Sequence, residues 1–239
     1  MTETSKTIAV FGAGPGLGRS VARRFGRDGF RVALVARTSA KLDAMVGELA
    51  ADGVEAAGFV ADLADQQQLA GVVEAITGRF GRIDVLEYAP AGPEWMQRQV
   101  DIRACDPESF EFGLNMLLRT PAVLIESLLP GMLDRGDGAV LFGLAVAASM
   151  PVPQLGNVAV AAAAARAYLH NLHVSLAGTG VYAGLVQVAG MVGGSESAEY
   201  AARQWDPAML PEPLDPADLA EAAWELYSTR DRFETTVGL

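Results

Sequence analysis

Near the N-terminus, the segment Thr7-Ile-Ala-Val-Phe-Gly12-Ala-Gly14-Pro-Gly16-Leu17-Gly18 reads as a buried strand, a tight glycine turn and the start of a helix. Glycines at this spacing let the backbone turn sharply, approach phosphate oxygens closely and pack the helix tightly on the strand. A bulky side chain at any of those points blocks one of the three. This arrangement holds a dinucleotide pyrophosphate, with Gly12, Gly14, Gly16, Leu17 and Gly18 as its contacts. A glycine turn without a ligand is the alternative. The position after a buried strand, at the head of a repeating βαβ chain, favours the nucleotide.

The end of the second strand discriminates between dinucleotides. An acidic residue there would accept hydrogen bonds from the ribose hydroxyls of NAD. This chain has Ala36-Arg37-Thr38, with no carboxylate to repel a 2′-phosphate and a guanidinium able to pair with one. The cofactor expected is NADP(H). Arg19, beside the last glycine, is a further cation in reach.

These groups are positioned by short apolar strands alternating with longer helical patterns, which implies a parallel sheet covered on both faces. The strands expected are Thr7–Phe11, Arg31–Ala36, Glu55–Ala61, Asp84–Tyr88, Gly138–Leu144 and Tyr182–Val188. Helices are expected over Gly18–Asp28, Thr38–Ala51 and Asp65–Phe80, with Thr38 and Asp65 as N-caps. Pro107–Arg135 reads as one long helix that Pro121 kinks or interrupts, and Gln154–Ala177 as an alanine-rich one. The fold class is therefore α/β: a single doubly wound Rossmann-type domain over residues 1–239, with a central parallel sheet of six or seven strands. Residues 191–213 carry Gly193-Gly194 and Trp205 after the last strand, where a substrate lid is expected.

Composition narrows the function classes. A formal net charge of −11 argues against nucleic acid or an anionic membrane as partner. The apolar stretch Val158–Ala165 is too short to span a bilayer. Cys105 is the sole cysteine, which excludes an intrachain disulfide and fits a reducing compartment. The N-terminus lacks a signal-peptide core. A cytoplasmic protein with a small-molecule substrate is expected.

With these residues in place, the chain resembles the short-chain dehydrogenase/reductase family over nearly its whole length. The glycine turn matches, as do Ala61-Asp62-Leu63, which the resemblance assigns to adenine, and Asp84-Val-Leu86 on the fourth strand. Asn115 matches the helix asparagine that stabilises a local bend and a proton-relay water. Leu129-Pro130-Gly-Met132 and Gly138-Ala-Val140 continue the pattern. Departures then follow. Tyr88-Ala89-Pro90-Ala91 stands where the family has Asn-Asn-Ala-Gly, leaving Ala89 as a cofactor contact, and Ala189-Gly190 replaces the usual Pro-Gly. The family's Ser, Tyr and Lys fall on Ala145, Val158 and Ala162. Both lysines, Lys6 and Lys41, precede residue 42, so no Tyr-x-x-x-Lys exists.

In that family the tyrosine exchanges a proton with the substrate oxygen, the lysine lowers its pKa and the serine orients the carbonyl. Valine and alanine do none of this. Tyr88, at a strand's carboxyl end, is a candidate replacement donor or nicotinamide-stacking group; its alternative is a packing aromatic. Asn115 with its water is a second catalytic candidate. Ser149, Gln154 and Asn157 flank the vacated positions as candidate pocket residues. Glu87 is a charge in a buried strand, either a functional carboxylate or the partner of an arginine at the rim. His170 and His173 do not form a metal pattern, and no metal is expected. Three readings remain: an NADP(H)-dependent oxidoreductase with an atypical proton source, a non-redox enzyme reusing the pocket, and a nucleotide-binding pseudoenzyme. The two longest helices correspond to the family's four-helix contact, so a homodimer or homotetramer is expected.

Overall fold

Seven parallel strands form one sheet in the order β3-β2-β1-β4-β5-β6-β7 in the computed structural model, which describes residues 5–206, 210 and 212–238. The strands are β1 Thr7–Phe11, β2 Arg31–Ala36, β3 Ala56–Val60, β4 Val85–Tyr88, β5 Gly138–Ala145, β6 Val181–Val188 and β7 Glu234–Val237. The order reverses between β1 and β4, which makes their carboxyl ends the place where a ligand is expected. The central strands are apolar on both faces because each face is covered. Ile8 and Val10 pack with α1 (Leu17–Arg27), α2 (Ser39–Ala51) and α9 (Pro216–Thr229), while Ala9 and Phe11 point to the opposite layer. That layer holds α3 (Leu69–Phe80), α7 (Gly156–Ser175) and the long helical run before β5. Two shorter helices, α4 (Pro93–Gln97) and α8 (Glu196–Gln204), lie on the loops after β4 and β6.

The first two strands have the expected bounds, the other four differ by one residue at one or both ends, and β7 brings the sheet to the higher of the two expected counts. Its sequence, Glu234-Thr-Thr-Val237, is short and half-buried at the sheet edge beside β6, so it carries no apolar run to announce it. Asp65 caps its helix as expected, accepting from the Gln67 N–H at 3.1 Å. Thr38 makes no side-chain cap bond, which corrects that expectation.

The helical run from Glu108 contains α5 (Glu111–Leu114), a π-helical stretch over Asn115–Arg119, and α6 (Thr120–Arg135). Pro121 does not end it. In the wider π register the Thr120 N–H bonds to the Asn115 carbonyl, and the next donor in that register would be Pro121, which has no N–H. The run is long and apolar enough to cross a membrane by length and composition. Its Leu124, Ile125, Leu128 and Met132 are buried in the core.

Candidate active site

The glycine turn takes the shape its spacing implies. Gly12 has φ of +92°, and a Cβ there would lie 2.8 Å from the Pro90 Cα. A Cβ on Gly18 would approach the Ala13 Cα to 3.0 Å, so helix and strand meet at backbone distance. Gly14 faces open space, with nothing nearer than 3.9 Å. The N–H groups of Gly12 and Ala13 both donate to the Val35 carbonyl at 3.0 Å, locking the turn to β2. The first turn of α1 carries no acidic side chain and no side-chain cap. Its amides and helix dipole therefore present a site suited to an anion.

A cleft of ≈ 780 Å³ runs along these strand ends. Gly12, Gly14, Gly16, Leu17, Gly18, Arg37, Asp62, Leu63 and Ala89 all line it. Arg37 does not stand alone: its Nη2 lies 3.0 Å from Glu94 Oε1 on α4. Lys41 likewise pairs with Glu196 at the start of α8. Both acids sit on segments that wall the cleft, and nothing local in the sequence signals either pairing.

Ala145, Val158 and Ala162 also line the cleft. Val158 and Ala162 are one turn apart on α7, and Ala145 ends β5. Met116, Leu144 and Leu155 join them, so this end is apolar. The segment expected as a lid is anchored at its base by the bond from the Gly193 N–H to the Leu214 carbonyl, 2.8 Å. Met191, Val192, Ser195, Glu196, Ser197 and Trp205 line the cleft, and a Cβ on Gly16 would meet Ser195 Cβ at 3.0 Å. Residues 207–209 and 211 of the expected lid lie outside the described residues.

Tyr88 is corrected. It is 0% exposed and its hydroxyl donates to the Met116 carbonyl at 2.5 Å, the carbonyl that Pro121 leaves without a helical donor. Its ring lies 5.5 Å from that of Phe142, in the core and not in the cleft. Burial raises its pKa far above the ordinary phenol value, so it is a poor acid, and it is not among the residues that line the cleft. Asn115 opens the π-helical stretch of the long run, and its side chain is engaged in structure. Its Oδ1 accepts from Gln66 Nε2 at 2.9 Å and its Nδ2 donates to the Ala64 carbonyl at 3.2 Å, which holds the loop after β3 instead of reaching the cleft.

The flanking candidates also serve structure. Ser149 donates to Gln187 Oε1 at 2.5 Å. Asn157 ties the segment after α4 to α7: its Nδ2 donates to the carbonyls of Arg98 at 2.8 Å and Ser109 at 3.0 Å, and its Oδ1 accepts from the Val100 N–H at 2.8 Å. Gln154 is exposed. Among the described residues Glu87 has no arginine partner, against that expectation. It is 3% exposed, its Oε2 has no hydrogen bond, and burial pushes its carboxyl up to about 8. It faces Val21, Leu141, Val186, Leu219 and Ala223 on the α1–α9 side. His170 stacks on Phe233 with ring centroids 4.3 Å apart, and His173 Nδ1 lies 2.7 Å from the Ala183 carbonyl. Among the described residues, no group of three His, Cys, Asp or Glu side chains is placed to hold a metal.

A doubly wound sheet with a glycine turn opening onto a long cleft at the switch point defines a nucleotide-binding α/β protein. The chain belongs to the short chain dehydrogenase family, whose model matches residues 6–204. A short chain dehydrogenase of Pseudocercospora fijiensis is 31% identical over 179 residues, spanning 74% of this chain and 56% of its own. A glycine betaine reductase of Emericella nidulans is 29% identical over 231 residues, 95% of this chain. The chain spans 18% of that protein, so it covers about half or less of these curated relatives. Among solved structures, a variant of the actinorhodin polyketide ketoreductase with NADPH superposes with a TM-score of 0.85 at 21% identity, covering 99% of this chain and 97% of that one. The L-sorbose reductase of Gluconobacter frateurii, complexed with NADPH and L-sorbose, gives 0.80 at 22%, covering 98% and 95%. These two likenesses establish the fold.

Proposed function

We propose that the chain is an NADP(H)-binding oxidoreductase of the short-chain dehydrogenase/reductase type whose site lacks the usual proton-transfer groups. It would pass hydride to small molecules, such as an iminium or an activated alkene, that need little proton assistance from the protein. One observation carries this reading: a single cleft is lined by the glycine turn and Arg37 and also by Ala145, Val158 and Ala162. By the family resemblance those three positions hold Ser, Tyr and Lys, and alkyl side chains exchange no proton. The NADPH in the two solved relatives supports a nicotinamide cofactor.

The open face of Gly14 and the acid-free first turn of α1 fit a pyrophosphate, and Arg37 fits a 2′-phosphate. Bound there, the cofactor supplies the hydride. The residues around Val158 keep the reacting end apolar and exclude water. Titrating the protein with NADPH and NADH tests the first half, and equal curves would sink it. Arg37→Ala should weaken NADPH selectively, by about 1–3 kcal/mol. The second half is tested with a panel of ketones, imines and conjugated enones. Ketones should react roughly a hundred- to ten-thousand-fold below an intact family member; brisk ketone reduction would overturn the reading.

The seclusion of Tyr88 in the core also favours a second reading, a nucleotide-binding pseudoenzyme. It predicts NADPH binding with no turnover anywhere on the panel. Val160, Ala163 and Ala167 lie exposed on α7, which supports a homodimer or homotetramer, to be read by sedimentation. A cytoplasmic setting fits the lone Cys105.

A further inference from the structure

The cationic side chains of the cleft fall into two groups. Arg37 and Lys41 are each neutralised by a carboxylate across the mouth. Arg98 also lines the cleft, yet no carboxylate of the described residues pairs with it. Its guanidinium instead sits 4.9 Å from the centre of the Phe112 ring, and Phe112 packs on Trp95 at 4.8 Å. The backbone beneath it is fixed, because Asn157 donates to the Arg98 carbonyl and holds the Val100 N–H. Asn157 precedes Val158 on the first turn of α7, so Arg98 is tethered to the turn that forms the apolar floor. In a chain of net charge −11, a cation held on an aromatic wall and left without an acid is available to a ligand.

We propose that this end of the cleft is a subsite for a small molecule with an apolar body and a carboxylate, and that Arg98 is its specificity-determining residue. This rests on the reading of the cleft as a cofactor-and-substrate site and adds the substrate class. The apolar body packs among Trp95, Met116, Leu155 and Met191, all cleft-lining residues. The carboxylate meets the guanidinium in a charge-assisted, fork-shaped pair. An arginine resting on a ring keeps a planar hydrogen-bonding edge for this purpose, which a lysine does not offer.

The test uses phenylacetate and phenylacetamide, which share a body and differ in charge, titrated calorimetrically into the full chain with and without saturating NADPH. The acid should bind roughly tenfold or more tightly than the amide, with the ratio shrinking as salt rises. Arg98→Gln should bring the acid to the level of the amide, and Arg98→Lys should retain part of the difference. Equal affinities in the parent, no binding of either probe, or an acid preference that survives Arg98→Gln would overturn the proposal. The NADPH titration on the same samples separates the two readings. If NADPH fails to bind, the cofactor reading falls and the nucleotide-free titrations still decide the role of Arg98. If NADPH binds and the acid gains nothing over the amide, only the Arg98 proposal falls.

Discussion

Replacing Glu87 with glutamine should make this protein more stable at neutral pH, against the usual direction for a buried polar substitution. The carboxyl sits on β4 between Val10 of β1 and Leu141 of β5. Burial alone raises its pKa from 4.5 to about 8. Below the unfolded value both states are protonated and the group is neutral to stability. As pH rises further, the unfolded chain ionises while the folded chain must keep its proton, so stability falls by about 1.4 kcal/mol per pH unit. The loss ends once the folded carboxyl also ionises, near pH 8. At pH 7 the accumulated penalty is about 3 kcal/mol. Glutamine has nearly the same shape and cannot ionise. Glu87→Gln should therefore match the parent near pH 4.5 and exceed it at pH 7, by roughly 6–12 °C in melting temperature for a chain of this size. Melts of both proteins across that range isolate the group, because every other titration is common to the pair. Parallel melting curves for parent and variant from pH 5 to pH 8 would refute the reasoning.

Tyr88→Phe removes the donor to the Met116 carbonyl and should destabilise the fold by about 1–3 kcal/mol. Affinity for NADPH and any hydride-transfer rate should stay at the parent's values, and a specific kinetic loss at unchanged stability would return the hydroxyl to the chemistry. Glu94→Gln should free Arg37 and tighten NADPH binding up to about fivefold, the scale of an exposed ion pair. That gain should fade at high salt; NADPH binding that is unchanged at low salt would show that Glu94 does not compete for the guanidinium.

How far the site was legible depends on the range over which each feature is determined. The glycine turn is a local matter: sharp turning, close approach and helix packing act within a dozen residues, so the sequence pattern and the cleft lining agree residue by residue. Direction was harder to read at Glu87 and Tyr88. Neighbours on a strand face opposite layers, and the sheet is covered on both, so hydropathy could not say which side either took. The face of Tyr88 follows from a defect 33 positions further on, where Pro121 supplies no N–H to a helix already shifted into the π register by Asn115–Arg119. The tyrosine hydroxyl completes that helix, which is why a residue at a strand's carboxyl end is sealed from the cleft the strand helps to form. Arg98 presents the opposite case. It belongs to a segment with little regular structure, and its place is set by Asn157, 59 residues away in sequence. No periodicity reports such a tether. The one available signal was positional: in this topology the loop after β4 must pass the mouth of the cleft, and an arginine in that loop, in an acidic chain, is a charge that only the folded molecule shows to be without a carboxylate partner among the described residues.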